Sequence, residues 1–336
     1  MWSYKHFNPQ NVAPIGARRL AVYDANGNRV GQIPLGGLTP PNIAHKQYSF
    51  GALSDVHIVY DTAADDFKRA LTYLNNDMDV AFACICGDLT DNGTAEQLAQ
   101  YKAVVDACSP DTPVYAIAGN HEAWATQPGL VEQYTGKPLY YSFPHGDDVF
   151  IMVGVVGATE GSLFADGELQ WLYETLEENR NKRCFLFEHI PSVEGCGDIL
   201  NLYSFTKLAG KAESQCFKSL LRHYSNVVYF HGHTHMKFSL QEYGDMANYD
   251  NVFGCHSIHI PSLSVPRDVS TDGSTYQTIY ADSEGYIVDV YENGIHLRGR
   301  DFVRGEFLPI ASYWLDTTLK PVDAGTFVDQ TGKITV

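Results

Sequence analysis

The chain has 336 residues, 44% of them apolar, which is enough to fill a sizeable core. Its formal net charge of -17 argues against a surface built to track a nucleic-acid backbone, which needs clustered Lys and Arg, and it disfavours an anionic membrane face. No apolar run approaches the roughly 20 residues of a membrane-spanning helix, and residues 1–9 lack the apolar stretch of a secretory signal, so a cytoplasmic address is expected.

Residues 1–45 carry scattered Pro and Gly and read as an N-terminal accessory segment. They hold one hairpin signal, Asn26-Gly27 between Leu20–Tyr23 and Val30–Ile33. From Tyr48 strand and helix alternate: strands over 48–54, 80–86 and 113–118, with helices between them. The first helix has Thr62 as its expected N-cap and Phe67, Ala70, Leu71 and Leu74 on one face. The second opens on the capping-box pattern Thr94-x-x-Gln97, with Leu98, Tyr101, Val105 and Cys108 inward. Cys84 and Cys86 in the second strand read as core residues. All seven cysteines read as buried thiols, because their number is odd and no second pair completes a thiolate site.

Further along, 139–143 with 149–156 read as hairpin-like strands. Helices follow over 167–179 and 214–224, strands over 183–187 and 227–231, and a hairpin pairs 285–291 with 295–302 around Asn293-Gly294. Sheet content is therefore mixed. The expected organisation is an accessory segment 1–45, a catalytic domain 46–305 and a C-terminal extension 306–336.

Polar residues of metal-ligand type recur where strands end: Asp55-Val56-His57, Gly87-Asp88, Gly119-Asn120-His121-Glu122, Glu188-His189 and Gly232-His233-Thr234-His235. Open α/β sheets bind ligands beyond the carboxyl ends of their strands, so these clusters are expected to converge on one crevice. Asp55, Asp88, Asn120, His57, His189, His233 and His235 form an oxygen and nitrogen set suited to Mn, Fe, Zn, Co or Ni. Seven side chains are too many for one ion and suit two that share a carboxylate.

The order D-x-H, G-D-x-x-D, G-N-H-E, H-x-P, G-H-x-H resembles that of the calcineurin-like metallophosphoesterase superfamily, over about residues 50–260. The resemblance implies a four-layer α/β/β/α sandwich of two mixed sheets flanked by helices. It implies that Asp55, His57 and His235 hold one ion, that Asn120, His189 and His233 hold the other, and that Asp88 bridges. It further implies attack of a metal-bridging hydroxide on a small phosphomonoester or phosphodiester. His121 would then be the catalytic acid that protonates the leaving alcohol, oriented by Glu122 or a backbone carbonyl. Purple acid phosphatases carry Tyr three residues after the bridging Asp; here that residue is Asp91, so a colourless enzyme is expected. Asp91 is either an acceptor for a ligand imidazole or a turn residue beside Asn92-Gly93.

Two rivals stand beside this reading. A nuclease on the same scaffold is disfavoured by the acidic charge, and a non-catalytic scaffold protein is disfavoured by the retained ligands. His231, inside a strand, is expected to be packed and hydrogen-bonded. His256 and His259 are candidates for lining the pocket, and Arg267 is either an anion contact or a solvated loop residue. The long connection from Ser192 to Glu213 is a candidate substrate-selecting rim.

Overall fold

Alternation along each buried strand sends its side chains to two opposite faces, and here each face finds a different apolar partner. In the computed structural model, Phe50 and Ala52 of β3 (Lys46–Leu53) face one way, together with Phe82, Cys84 and Cys86 of β4 (Phe82–Cys86). They meet Phe150 and Met152 of β7 (Asp148–Val153), Phe185 and Phe187 of β8 (Cys184–Glu188) and Phe230 of β9 (Val227–His231). This inter-sheet layer is largely aromatic. Phe50 meets Phe150 edge to face at 5.1 Å between centroids, and Phe187 stacks on Phe230 at 4.8 Å.

The opposite faces meet helices. Leu53, Ala83 and Ile85 pack under α1 (Ala63–Asn76) and α2 (Ala95–Cys108), while Val149, Ile151, Val153 and Leu186 pack under α5 (Glu168–Glu178) and α6 (Lys211–His223). The result is the expected four-layer α/β/β/α sandwich. The described residues are 18–23, 29–35, 46–59, 62–124, 129–157, 163–191, 196–200, 202, 211–243, 248–250, 255–319 and 327–335.

Both sheets are six-stranded and mixed. In the first, β3, β4 and β5 (Val114–Ile117) run parallel. β14 (Glu284–Tyr291), β15 (Gly294–Asp301) and β16 (Glu306–Asp316) extend the other side of β3 antiparallel. In the second, β7, β8, β9 and β11 (His256–His259) run parallel, with β6 (Tyr140–His145) and β10 (Tyr249–Asp250) antiparallel at the two edges. Short helices α3 (Asn120–Trp124) and α4 (Leu130–Thr135) follow β5, and a hairpin of β12 (Arg267–Val269) and β13 (Tyr276–Thr278) follows β11. At the N-terminus β1 (Arg18–Tyr23) pairs antiparallel with β2 (Arg29–Leu35), the hairpin signalled by Asn26-Gly27, a turn that lies outside the described residues.

Local signals hold unevenly. Thr94 Oγ1 accepts the Gln97 amide at 3.3 Å as a cap should, but the Gln97 side chain accepts the Asn92 amide, so the reciprocal half of the box is absent. Thr62 makes no side-chain cap at all; its backbone is already helical, with φ -101° and ψ -13°. Residues 306–316, at the start of the expected C-terminal extension, form the edge strand β16. The seven cysteines form no disulfide among the described residues.

Candidate metal centre

The pairing of strands continues past their ends, and this brings the polar clusters together. The amides of Asp55 and His57 donate to the carbonyls of Gly87 and Asp88 at 3.1 and 3.0 Å, so the loops after β3 and β4 are zipped in register. In the second sheet the Gly232 amide donates to the His189 carbonyl at 2.9 Å. The two sheets are tied where the His233 amide donates to Asp55 Oδ2 at 3.1 Å. Asp55, His57, Asp88, His233 and His235 all have left-handed φ, between 46° and 73°. That conformation is costly for residues with a Cβ and clusters at functional sites.

Around this junction, Asp55, His57, Asp88 and His235 present side-chain acceptors within 4.8 Å of one another, and so do Asp88, His189 and His233. Asp88 belongs to both groups. Asn120 Oδ1 lies 3.1 Å from His189 Nε2, which joins it to the second. All seven residues expected from the sequence thus come to one place, at the carboxyl ends of β3, β4, β5, β8 and β9. Asn120 opens α3 and lies beside His189.

Hydrogen bonds fix which imidazole nitrogens are bare. His235 Nδ1–H donates to the Val265 carbonyl at 3.1 Å and His189 Nδ1–H to the Cys86 carbonyl at 2.6 Å, so in each ring Nε2 faces the cluster. His57 Nδ1 lies 3.6 Å from Asp91 Oδ1, which turns its Nε2 inward as well. His57 Nε2 and His235 Nε2 stand 3.1 Å apart, with Asp55 Oδ1 3.0 Å from the latter. The buried Asp55 Oδ1 and Asp88 Oδ2 face imidazole nitrogens, His235 Nε2 at 3.0 Å and His189 Nε2 at 3.1 Å. Bare acceptors crowded together out of water repel unless a cation lies among them, so the donor set fits metal ions.

The titration behaviour agrees. Burial pushes Asp88 up, but His189, His57 and His121 outweigh it and hold the carboxyl well below its ordinary value. Asp55 is likewise held low, burial being overcome by His235 and His189. Burial lowers His189, yet Asp88 and Asp55 carry it up to about 10, whereas burial dominates at His233 and His235 and leaves them near 3 and 4. Ionised carboxylates beside His233 and His235, which burial keeps neutral, offer bare donors to a cation, and that cation would take the place of the proton that Asp88 and Asp55 favour on His189.

His121 sits at the rim with its side chain 18% exposed. Its Nδ1–H donates to the Asp91 carbonyl at 2.6 Å, and its Nε2 stands 3.8 Å from Asp88 Oδ2. The backbone carbonyl, then, and not Glu122, orients the ring. Glu122 instead accepts the Thr90 amide and hydroxyl at 2.8 Å and the Gly119 amide at 2.9 Å, clasping the Asp88 loop to the start of α3. Asp91 Oδ1 lies 3.6 and 3.7 Å from His57 and His121 Nδ1, which favours its reading as an acceptor over a mere turn residue.

The remaining candidates separate. His231 is buried, with Nε2 3.1 Å from Ser257 Oγ, as expected of a packed strand histidine. His259 is buried behind the G-H-T-H loop, 3.4 Å from Thr234 Oγ1, while His256 points to the Asp316 carbonyl of β16 at 2.6 Å and does not line the site. The Arg267 charge lies near enough to His235 to depress it. Most of 192–213 lies outside the described residues, apart from 196–200, 202 and the first turn of α6.

Three hydroxyls went unread in the sequence. Ser54 Oγ donates to Asp55 Oδ2 at 2.6 Å, Ser262 Oγ to the Asp55 carbonyl at 2.9 Å and Ser264 Oγ to the Val56 carbonyl at 2.6 Å. Trp124, whose ring centroid is 4.0 Å from that of His121, was also missed, although its spacing of three residues on one helix face was a usable signal.

Glycine is needed before Asn120 for reasons of space. A Cβ on Gly119 would sit 2.2 Å from Asp88 Oδ1 and 2.4 Å from the Asp88 amide nitrogen. Gly119→Ala is therefore expected to displace Asp88 and to destabilise the fold by about 1–3 kcal/mol. Urea denaturation checks this, and an unchanged midpoint would show that the loop yields freely.

The family model of the calcineurin-like phosphoesterases matches residues 48–237, more than half of the chain. The chain belongs to the calcineurin-like phosphoesterase family. Membership carries phosphoester hydrolysis and the use of divalent metals at the level of the family. A probable glycerophosphodiester phosphodiesterase, GpdQ, of Arcobacter nitrofigilis is 29% identical over 113 residues, 32% of this chain and 41% of that protein, so the match spans less than half of the relative's length. The purple acid phosphatase PPD1 of yellow lupin (Lupinus luteus) seeds superposes with a TM-score of 0.56 at 13% identity, over 89% of this chain and 59% of that one. GAP50, the anchor in the inner membrane complex of Plasmodium, superposes with a TM-score of 0.56 at 14% identity, over 83% and 90%. At these identities the two structures show a shared fold. Among the described residues no helix is long and apolar enough to cross a membrane.

Proposed function

We propose that this chain is a two-metal phosphoesterase acting on a small phosphomonoester or phosphodiester. The observation that carries this reading is the pair of buried acceptor groups sharing one carboxylate, Asp88. Asp55, His57, Asp88 and His235 would hold one ion, and Asp88, Asn120, His189 and His233 the other. Ions in such a pair would lower the pKa of coordinated water toward about 7 and would neutralise charge on the phosphoryl oxygens. Mn, Fe, Zn, Co and Ni all suit the donors.

The protein's own groups do the rest. The Asp91 carbonyl holds His121 so that its Nε2 faces the cluster, from which an Nε2–H delivers a proton to the departing alkoxide. Exposed Trp124, beside that ring, offers a flat apolar face to the leaving group. Two carboxylates facing two divalent ions leave a local positive surplus that draws phosphate to an acidic protein. The likeness to a probable glycerophosphodiester phosphodiesterase makes glycerol phosphodiesters the first natural substrates to test. Seven cysteines without a disulfide among the described residues suit the cytoplasmic address expected from the sequence.

Elemental analysis of the purified chain is expected to give about two metal ions per molecule. Nitrophenyl phosphate or its bis ester should turn over, with activity lost to a chelator and restored by Mn or Zn. Free metal at about 100 times its Kd should stabilise the fold by about 2.7 kcal/mol per site in thermal unfolding. Less than one ion per chain, with neither ester hydrolysed, would overturn the proposal.

A further inference from the structure

Two arginines are buried among the described residues, and they are treated very differently. Arg183 grips Asp148 with two nitrogens, at 2.9 and 2.6 Å, and also donates to the Tyr291 carbonyl and to Thr317 Oγ1. Arg300, 9% exposed, has no carboxylate partner among the described residues, and its Nε is buried with no acceptor. What it has are aromatic faces: its guanidinium lies 3.7 Å from the Tyr73 ring centroid and 5.1 Å from that of Phe307.

The register of the sheet explains the missing acid. Ile295 and Leu297 of β15 face the inter-sheet core, so Arg298 and Arg300 face the helix side. On that face Arg298 finds Asp289 of β14 at 2.8 Å, whereas the residue directly opposite Arg300 is Gly285, which has no side chain to offer. Arg300 instead lines a cavity of about 380 Å³ between α1 and the end of β15, together with Lys68, Arg69, Thr72, Tyr73, Asp77 and Phe302. Lys68 and Arg69 of α1 pair with Asp65 and Asp66 at 3.1 and 2.7 Å, so Arg300 is the one cation of this wall with no carboxylate partner among the described residues. None of these residues belongs to the metal centre, which lies beyond the carboxyl ends of the strands.

We propose that this cavity is a binding site for a small molecule bearing a phosphate group, with the Arg300 guanidinium as its anchor. A guanidinium held flat by an aromatic ring presents its donor edges to two oxygens at once. The Lys68–Asp65 pair is open to solvent and therefore weak, which leaves Lys68 able to turn to a second phosphate oxygen, and Thr72 adds a hydroxyl. The aromatic rings hold the guanidinium but give its buried Nε–H no acceptor, and buried cations are normally paired with one.

Equilibrium dialysis of labelled inorganic phosphate against the purified full-length protein tests this. Relative to the parent, Arg300→Met is expected to lose one equivalent of bound phosphate, or to bind it about 30-fold more weakly. Lys68→Gln should weaken the same equivalent, and it supplies the test if Arg300→Met fails to fold. Asp88→Ala should retain this equivalent, which separates it from phosphate held at the metal centre. Acetate in equal excess should not displace it. Unchanged stoichiometry and affinity in a folded Arg300→Met or Lys68→Gln, or displacement by acetate, would overturn the assignment.

Discussion

Asp88→Ala is expected to lower turnover by on the order of 10³–10⁵-fold and to weaken the binding of both metal ions. Asp88 is the residue shared by the group with Asp55, His57 and His235 and the group with His189 and His233, so its removal opens two coordination sets at once. A metal ion acting as Lewis acid contributes several kcal/mol to transition-state stabilisation, and each 1.36 kcal/mol or so is about tenfold in rate. A second loss follows from electrostatics. Asp88 and Asp55 together raise His189, and with Asp88 gone the histidine loses its nearest counter-charge in a buried setting. Elemental analysis beside steady-state kinetics reads both effects, and full retention of two ions per chain would show that Asp88 does not bridge.

The second large effect is expected at His121. His121→Ala should slow catalysis by about 10²–10⁴-fold while leaving metal content intact, because the ring gives Nδ1–H to the Asp91 carbonyl and stands at the rim of the cluster. His121 also falls within a group with His57 and Asp91, and that group makes the alternative concrete: a histidine that ligates instead of donating a proton. Leaving-group dependence separates the two. A missing proton donor costs most with a basic alkoxide and least with nitrophenolate, so the deficit of His121→Ala should shrink as the leaving group becomes more acidic. Loss of metal from this variant, or an equal deficit for every ester, would assign His121 to coordination.

How much of this was visible in the sequence differs with the length scale of the interaction. The five motifs were legible because carboxylates, Asn and His stand where an apolar strand stops, and because chain order through a βαβ core brings strand ends side by side. The strands and long helices followed from periodicity. Caps were less secure: Thr62 and Thr94 look alike in sequence, yet only Thr94 takes the extended backbone that lets its hydroxyl turn back on the helix. Residues 306–316 hid their strand because Pro309 interrupts it. The pairing register of β15 with β16 slips between Arg298 and Arg300, and Pro309 is tolerated at such an edge irregularity.

Contacts distant in sequence stayed hidden. Ser262 and Ser264 reach back some 200 residues to the backbone of Asp55 and Val56, and a serine pair in a loop carries no mark of that destination. Glu122 and a backbone carbonyl were equal candidates for orienting His121, and the sequence could not show that the Glu122 carboxylate turns to Thr90 and Gly119 while the Asp91 carbonyl takes the ring. In sequence Arg300 carries no mark that separates it from the other charges of its hairpin; the empty position across from it at Gly285 does.

The first sheet is drawn from both ends of the described core, β3–β5 and β14–β16, and the second from the stretch between them. Asp55 belongs to one layer and His233 to the other, so the cavity does not exist until the late strands have come home and the layers have closed. Any ion lodged there acts as a rivet through the seam, and the affinity for that ion becomes a gauge of how firmly the sandwich is shut.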